Sequence, residues 1–428
     1  MCDFYGLKFN LYIFMTILQI NVTCGHGSTG VIAVEIANVL RSQGHNCYIA
    51  YGQGTTSYDK SYKIGGKIEN KLHGLINTRV LGQEGTGTLS GTRKFIKWID
   101  SINPDIIHIH TLHSNFLNYK IFFNYLRDRK IPVVWSFFDC WPFTGKCTHF
   151  VANGCRNWEV DKGCKGHCPQ LYSSGSKTWF FDKTAKMYSL KKQWFQALDS
   201  LDIIVCSNWL KSEVEKSFFA ARQIHMIYNW IDPNKFKEIH DDSIYENYGL
   251  DPAKKMVISV SAFWDDNTTR YNDAVRLAKI LPEDYQLVIV GKKITQKPLE
   301  SNMVHIDFVN GTEELSKLYS AALAFVGFSV EDTFGKVFAE AMLCGTPVIV
   351  FNSTACPEVV GDVGYAVAPH DVKAMLDKVV EIERNGRDYY SARAKSLVRS
   401  QYDYEKNVGQ YLKVYENILE KKSISFHA

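Results

Sequence analysis

The feature that most constrains this chain is a rhythm. Short apolar runs rich in Ile, Val and Leu alternate with longer stretches of helical spacing, and the series runs twice. The first series has runs at Ile17–Val22, Cys47–Ala50, Ile106–His110, Val133–Phe137 and Ile203–Cys206. The second begins after residue 250, with Met256–Ser261, Gln286–Val290, Val304–Phe308, Ala324–Phe328 and Pro347–Phe351. Such runs are strands buried on both faces, which means parallel sheets covered by helices. The sequence therefore predicts an α/β protein of two doubly wound, Rossmann-like domains whose strand ends face a cleft. The expected first domain spans 15–228, with an irregular insertion at about 140–176, and the second spans 229–403. A terminal helix over 404–422, apolar at Val408, Tyr411, Leu412, Tyr415 and Ile418, is expected to pack back on the first domain.

Composition narrows the classes. A length of 428 residues suits two large domains. Lys plus Arg number 49 and Asp plus Glu 45, so the net charge of +4 gives no reason to expect a nucleic-acid partner. The early apolar run Leu11–Ile20 is broken by Thr16 and Gln19 and is about half of what spans a bilayer. With no cationic segment before it, it does not read as a signal peptide. Residues 1–14 read as an extension or an upstream start. The expected location is cytoplasmic, at most peripheral on the inner face of a membrane.

Two loops carry the candidate chemistry. After the first strand comes Gly25-His26-Gly27-Ser28-Thr29-Gly30, then a helical run to Gln43. In the second series, Val326-Gly327-Phe328 leads into Ser329-Val330-Glu331-Asp332-Thr333-Phe334-Gly335, and a helix follows through Lys336 and Glu340. Free amides at a helix start suit an anionic phosphate, and a glycine there admits close approach. Carboxylates at Asp332 and Glu340 suit hydroxyl donors, so the layout fits a sugar nucleotide. The plainer alternative is a loop acid used as a cap and a helix acid facing solvent.

The longer string is more specific. Asp332-x7-Glu340, followed by Ala341-Met342 and Gly345-Thr346-Pro347-Val348-Ile349, resembles the acid-x7-acid motif of glycosyltransferase family 4, retaining enzymes of GT-B fold. Gly27-Ser28-Thr29-Gly30, Asp105–His110, Cys206-Ser207-Asn208-Trp209-Leu210, Asn229-Trp230-Ile231-Asp232 and Thr354-Ala355-Cys356-Pro357-Glu358 extend the resemblance over roughly 15–422. The resemblance implies that Glu340 holds the donor ribose and Asp332 the donor sugar. It implies that the amides of Phe334, Gly335 and Lys336 bind the diphosphate of a UDP- or GDP-sugar. Gly27, Ser28, Thr29 and Gly30 would meet the same phosphates or the acceptor. Catalysis would then rest on positioning and on charge stabilisation of the leaving diphosphate, with no metal expected at the chemistry.

Two positions depart from the family pattern. Phe138 stands where the resemblance implies a His, and only Arg270 is cationic on the loop after the first strand of the second series. Arg270, Lys292 and Lys336 are the candidate cations for the diphosphate. His110, at a strand end, is a third candidate catalytic group beside Asp332 and Glu340.

Cys140, Cys147, Cys155, Cys164 and Cys168 fall within 29 residues. Cys147, Cys155, Cys164 and Cys168 could form a closed zinc site, with free thiols or disulfides as alternatives. In a glycine-rich segment with little apolar periodicity, a metal would supply cohesion. The arrangement resembles an insertion in polysaccharide-assembly members of family 4, and it is expected to act as a clip away from the chemistry. Residues 177–198 place five lysines among six aromatics, Trp179, Phe180, Phe181, Tyr188, Trp194 and Phe195. They are expected either to lie on an anionic membrane or to form a helix with a core aromatic face. The resulting expectation is a retaining transferase acting on a glycan, lipid-linked oligosaccharide included, in capsular, exopolysaccharide or O-antigen assembly. The competing readings are a non-catalytic GT-B partner that binds glycan or nucleotide and, more remotely, a zinc hydrolase.

Overall fold

The structure, a computed structural model, describes residues 14–173 and 177–427, with side chains as far as 422. The proposed extension lies outside these residues except for Phe14, as does Gly175 of the insertion.

The chain forms two compact units. The first takes in residues up to Phe137, Gly166–Ile203 and the chain from Val408 onward; the second takes in Phe138–Lys165 and Ile204–Asn407. The first seven-stranded sheet is built from β1 Thr16–Asn21, β2 Asn46–Tyr51, β3 Ser61–Lys63, β4 Ile106–Ile109, β5 Val133–Phe137, β6 Leu201–Val205 and β7 Gln223–Met226. Its order is β3-β2-β1-β4-β5-β6-β7. The second, six-stranded sheet uses β8 Lys255–Trp264, β9 Tyr285–Lys293, β10 Met303–Ile306, β11 Ala324–Gly327, β12 Val348–Phe351 and β13 Tyr365–Val367. Its order is β10-β9-β8-β11-β12-β13, with every neighbouring pair parallel. The order reverses between β1 and β4 and again between β8 and β11. At such a reversal the connections leave in opposite directions and open a crevice beyond the strand ends.

Every expected strand forms, because β4, β5, β11 and β12 are buried at each position and can be nothing else in a helix-covered sheet. Three strands were not legible: β3, β7 and β13 are short, partly exposed and at or near sheet edges, so they lack the apolar signature. Helix Ser28–Ser42 follows the first glycine loop and buries Ile32, Ala33, Ile36, Ala37 and Leu40 at helical spacing. Each large side chain there contributes about 1.5–3 kcal/mol by burial. The second unit has its own core, in which Val257, Leu287, Ile289, Val326 and Ile349 of the sheet meet Ala274, Leu277, Met375 and Val379 of the helices. The terminal helix runs Tyr404–His427 and buries Val408, Tyr411, Val414, Tyr415 and Ile418. Within the first unit, Tyr415 Oη lies 2.7 Å from His108 Nδ1 on β4.

One expectation is refined and another needs correction. The aromatic-rich stretch 177–198 is helical only in part, and there it has the core aromatic face that is one of the two expectations. Its helix is Thr184–Gln196, whose Met187, Tyr188, Trp194 and Phe195 are buried, while Trp179, Phe180 and Phe181 precede it and are exposed. The four-cysteine zinc set is not gathered. Cys147, Cys155 and Cys164 fall in the second unit and Cys168 in the first. Among the described residues no group of three or more His, Cys, Asp or Glu side chains is placed to hold a metal. The segment coheres by other means. Phe143, Phe150 and Trp158 are buried, and Trp158 packs against both other rings at centroid distances of 4.9 Å. The Arg156 guanidinium lies 5.3 Å from the Phe150 centroid and pairs with Glu213. A small aromatic core therefore supplies what composition suggested was missing.

Candidate functional site

In the second unit β11 ends at Gly327, and the chain turns through Phe328–Gly335 into helix Lys336–Leu343. Gly335, the N-cap, has φ 79°, and a Cβ there would lie 2.3 Å from Phe338 Cε2. A Cβ on Gly327 would lie 2.7 Å from Phe338 Cε1, so one ring packs over both glycines and fixes the turn. No side chain caps the helix. Its first amides are thus offered to a ligand, with the positive end of the helix dipole behind them.

The loop is braced from two sides. After β12, Thr354 Oγ1 accepts from Asp332 N at 3.1 Å and Ser353 Oγ donates to Val330 O at 2.8 Å. On the other side, Ala152 N in the cysteine-rich segment donates to Glu331 Oε1 at 2.8 Å, and Phe138 O, just after β5, accepts from Thr333 Oγ1 at 2.7 Å. Part of the insertion, expected to lie away from the chemistry, therefore contacts the candidate loop at Glu331. Glu331 is consumed in this brace, whereas the half-buried Asp332 carboxylate has no hydrogen bond or ion pair among the described residues.

Glu340 lies one helical turn beyond Lys336, where i and i+4 share a face. Burial raises its carboxyl above the ordinary range; the Lys336 ammonium opposes this, and so, more weakly, does the Tyr319 hydroxyl. That hydroxyl is buried and closes no hydrogen bond among the described residues. Tyr319 and Glu340 thus lie close together, with the Lys336 charge acting on the same carboxyl. Arg270 spans the reversal point of the sheet. Its Nη1 donates to Ser261 Oγ on β8 at 2.9 Å and its Nη2 to Ser329 Oγ, just beyond β11, at 3.3 Å. Gly291, at φ 124°, lets β9 press against the Ser261 carbonyl beside a register shift in β8. Among the described residues no carboxylate pairs with Arg270, so its charge is held in place but not neutralised. Phe334 is buried against Tyr402, and only its backbone remains for a ligand. Lys292 is exposed on β9 beside Phe263, and no contact among the described residues ties it to the loop.

In the first unit, Gly27 is the N-cap of helix Ser28–Ser42, with φ 68° and again no side-chain cap. Gly27 and Ser28 are exposed, Thr29 Oγ1 accepts from Asn21 Nδ2 at 3.2 Å, and Gly30 packs against Thr23. His110 is not a cleft group. It is 2% exposed, its Nε2 lies 2.7 Å from Gln19 Oε1, and its ring centroid is 4.0 Å from that of His108. Burial depresses its pKa to about 3, so it stays neutral through the working pH range. One acid escaped attention as a working residue. Glu358 accepts from Asn208 N at 2.7 Å, Trp209 N at 3.1 Å and Tyr228 Oη at 2.8 Å, capping helix Asn208–Glu215. Nothing in its local sequence signals a partner 150 residues away.

Two doubly wound parallel sheets, one of them bearing a glycine-started helix, two acids and an arginine at its reversal point, define an α/β protein of the GT-B class. Comparison with known proteins agrees. Residues 29–235 match the model described as Glycosyltransferase Family 4, and residues 254–385 match Glycosyl transferases group 1. The chain is 22% identical over 419 residues to a protein of Escherichia coli (strain K12) named for colanic acid biosynthesis as glycosyl transferase WcaC. That match covers 94% of this chain and 100% of the relative. It is 24% identical over 342 residues to the O-antigen chain mannosyltransferase RfbU of Salmonella typhimurium, covering 72% and 91% of the two chains. Among solved structures, Anabaena HepE in complex with UDP and glucose superposes with a TM-score of 0.65 at 15% identity, over 94% of this chain and 100% of that one. The chain belongs to glycosyltransferase family 4.

Proposed function

We propose that the protein moves a sugar from a UDP- or GDP-sugar to a glycan acceptor carried on a lipid, with retention of configuration, in the assembly of a surface polysaccharide. The observation that carries this reading is a combination: uncapped helix amides at Gly335, an Arg270 that no carboxylate pairs among the described residues, an Asp332 carboxylate with no hydrogen bond or ion pair among them, and a Glu340 buried beside Lys336. Amides, Lys336 and Arg270 suit a diphosphate, whose negative charge grows as the sugar–phosphate bond breaks. Carboxylates suit the hydroxyls of ribose and sugar. The names of the relatives, colanic acid and O-antigen, support the polysaccharide setting, and a structural neighbour carrying UDP and glucose supports the donor class.

Purified protein offered a panel of UDP- and GDP-sugars should be stabilised by at least one, and should release nucleotide faster when a lipid-linked saccharide is added. Stabilisation without release, given several acceptors, would favour the second reading, a partner subunit that binds donor and does not turn it over. Phe138 is the reason to keep that reading, since its ring cannot donate the hydrogen bond that the resemblance assigns to His. Failure to bind any nucleotide sugar would sink both.

A further inference from the structure

The first unit contains a surface segment built inside out. Helix Lys67–Leu72 continues into the π-helical turn His73–Val80. Its inner face is polar. Asn70 Nδ2 donates to Ile64 O at 3.1 Å, Asn77 Nδ2 donates to Thr86 Oγ1 at 3.0 Å, and buried His73 bonds Thr88 Oγ1 at 2.8 Å and Gly85 N at 3.0 Å. Its outer face is aliphatic. Ile68 is 76% exposed, and Leu72, Leu75, Ile76 and the following Leu81 are exposed as well. Surface helices of soluble proteins show the reverse arrangement.

The same patch continues in a second stretch. Trp179 N donates to Arg79 O at 2.7 Å, and Gly82 abuts the Phe181 carbonyl, where a Cβ would come within 2.7 Å. This docks Trp179-Phe180-Phe181 beside the inverted segment with all three rings exposed. Charge is sorted by direction. Residues 67–84 and 177–186 hold the cations Lys67, Lys71, Arg79, Lys177, Lys183 and Lys186 and the acids Glu69, Glu84 and Asp182. All three acids accept backbone amides: Glu69 from Ser90 at 2.8 Å, Glu84 from Ser114 at 3.0 Å, and Asp182 from Cys168 and Thr184, both at 2.9 Å. Lys67, Lys71, Lys177 and Lys186 are exposed, and none is paired with a carboxylate among the described residues. Lys183 Nζ sits 5.6 Å from the Phe181 ring centroid and the Arg79 guanidinium 5.9 Å from that of Trp179, which is cation beside aromatic at one level.

We propose that this face docks on an anionic lipid bilayer, with the aliphatic and aromatic side chains entering the headgroup boundary and the lysines meeting lipid phosphates. No described helix is long and apolar enough to cross a membrane, so attachment would be interfacial and salt-dependent. The proposal deepens the lipid-carried-acceptor reading, because it would hold the enzyme at the surface where such an acceptor lies.

The test is co-sedimentation of the full chain with vesicles of phosphatidylcholine alone or with phosphatidylglycerol added, at low and high salt. Anionic vesicles should bind at least about tenfold more protein than neutral ones. The triple variant Trp179→Ser/Phe180→Ser/Phe181→Ser, and separately Lys67→Gln/Lys71→Gln/Lys186→Gln, should each lower partitioning by about tenfold. Thermal melts and nucleotide release on a water-soluble acceptor should stay at the parent level. Vesicle binding unchanged by both variants, or no binding at all, overturns the proposal. So does a dimer that the aromatic variant dissolves, which would make the face a protein interface. Loss of nucleotide release with vesicle binding intact would instead count against the transferase reading.

Discussion

The two sheets reverse their strand order in the same way, and the two reversal points do different things. In the first unit the point between β1 and β4 is closed by neutral hydrogen bonds. Asn21 Nδ2 donates to Thr23 O at 2.9 Å, Asn21 Oδ1 accepts from Thr111 N at 3.2 Å, and Gln19 bonds His110 at 2.7 Å. In the second unit the point between β8 and β11 is spanned by Arg270, held by two serine hydroxyls and, among the described residues, by no carboxylate; Ser329 opens the loop that leads to the uncapped helix at Gly335. Both units start a helix on a positive-φ glycine with bare amides. Only the second surrounds that start with charge. A helix start is a generic anion site; the charges around it make it selective for a diphosphate with hydroxyl-bearing groups on either side.

The strongest way to break this comparison is Glu340→Ala. It should cut kcat/KM for nucleotide release by about 100–1000-fold, as loss of a positioned polar group in a water-poor site does, while the melting temperature holds. A loss no larger than that from changes in the first glycine loop would dissolve the distinction. Arg270→Ala should follow with about a 10–100-fold loss, read as weaker donor binding by nucleotide titration, with the apo fold intact. Titration that leaves donor affinity unchanged would show that the arginine only braces Ser261 and Ser329.

The first reversal point should respond in the opposite sense. Gln19→Leu removes the partner of buried His110 and should cost about 1–3 kcal/mol in urea denaturation, with transfer rates kept within about twofold. A large fall in transfer at unchanged stability would put His110 back among the working groups. Because His110 is neutral above about pH 3, it should add no limb to the pH–rate profile.

The smallest effect is on stability. Burial raises the Glu340 carboxyl above its ordinary 4.5, so the folded state takes up its proton more readily than the unfolded chain. Apo stability from this group is greatest below 4.5 and declines as pH rises to the folded value. At neutral pH the charged form is a cost, and Glu340→Gln should raise apo stability by about 1 kcal/mol while impairing transfer. An unchanged or lower melting temperature would show that the carboxylate is satisfied in the apo protein.

Much of this was legible in the residues. Strands buried on both faces write themselves as unbroken apolar runs, so β1, β4, β5, β8, β9, β11 and β12 could be read, as could the Asp332–Glu340 loop that follows one of them. The edge strands β3, β7 and β13 could not, because a short, half-exposed strand has no periodicity to show. The cysteine segment misled because spacing suggested metal, whereas Phe143, Phe150 and Trp158 close a core across non-periodic positions. The aromatic stretch was legible in part: a helix with a core aromatic face is one of its two readings, but sequence counts rings and lysines and does not say which rings face inward.

What the sequence determined by itself is the local chemistry: two series of buried strands, glycine-started helices after particular strands, and acids and cations at fixed offsets. These follow from backbone sterics and side-chain periodicity, which act within a few residues. Only the tertiary structure decided which groups are spent and which are left open. Glu331 and Glu358 are consumed by amides, from Ala152 and from Asn208 and Trp209. Among the described residues no amide takes up the carboxylates of Asp332 and Glu340, and His110 is sealed into the sheet. A polar side chain becomes a functional one when packing leaves its hydrogen-bonding capacity unmet, and that depends on partners far away in sequence.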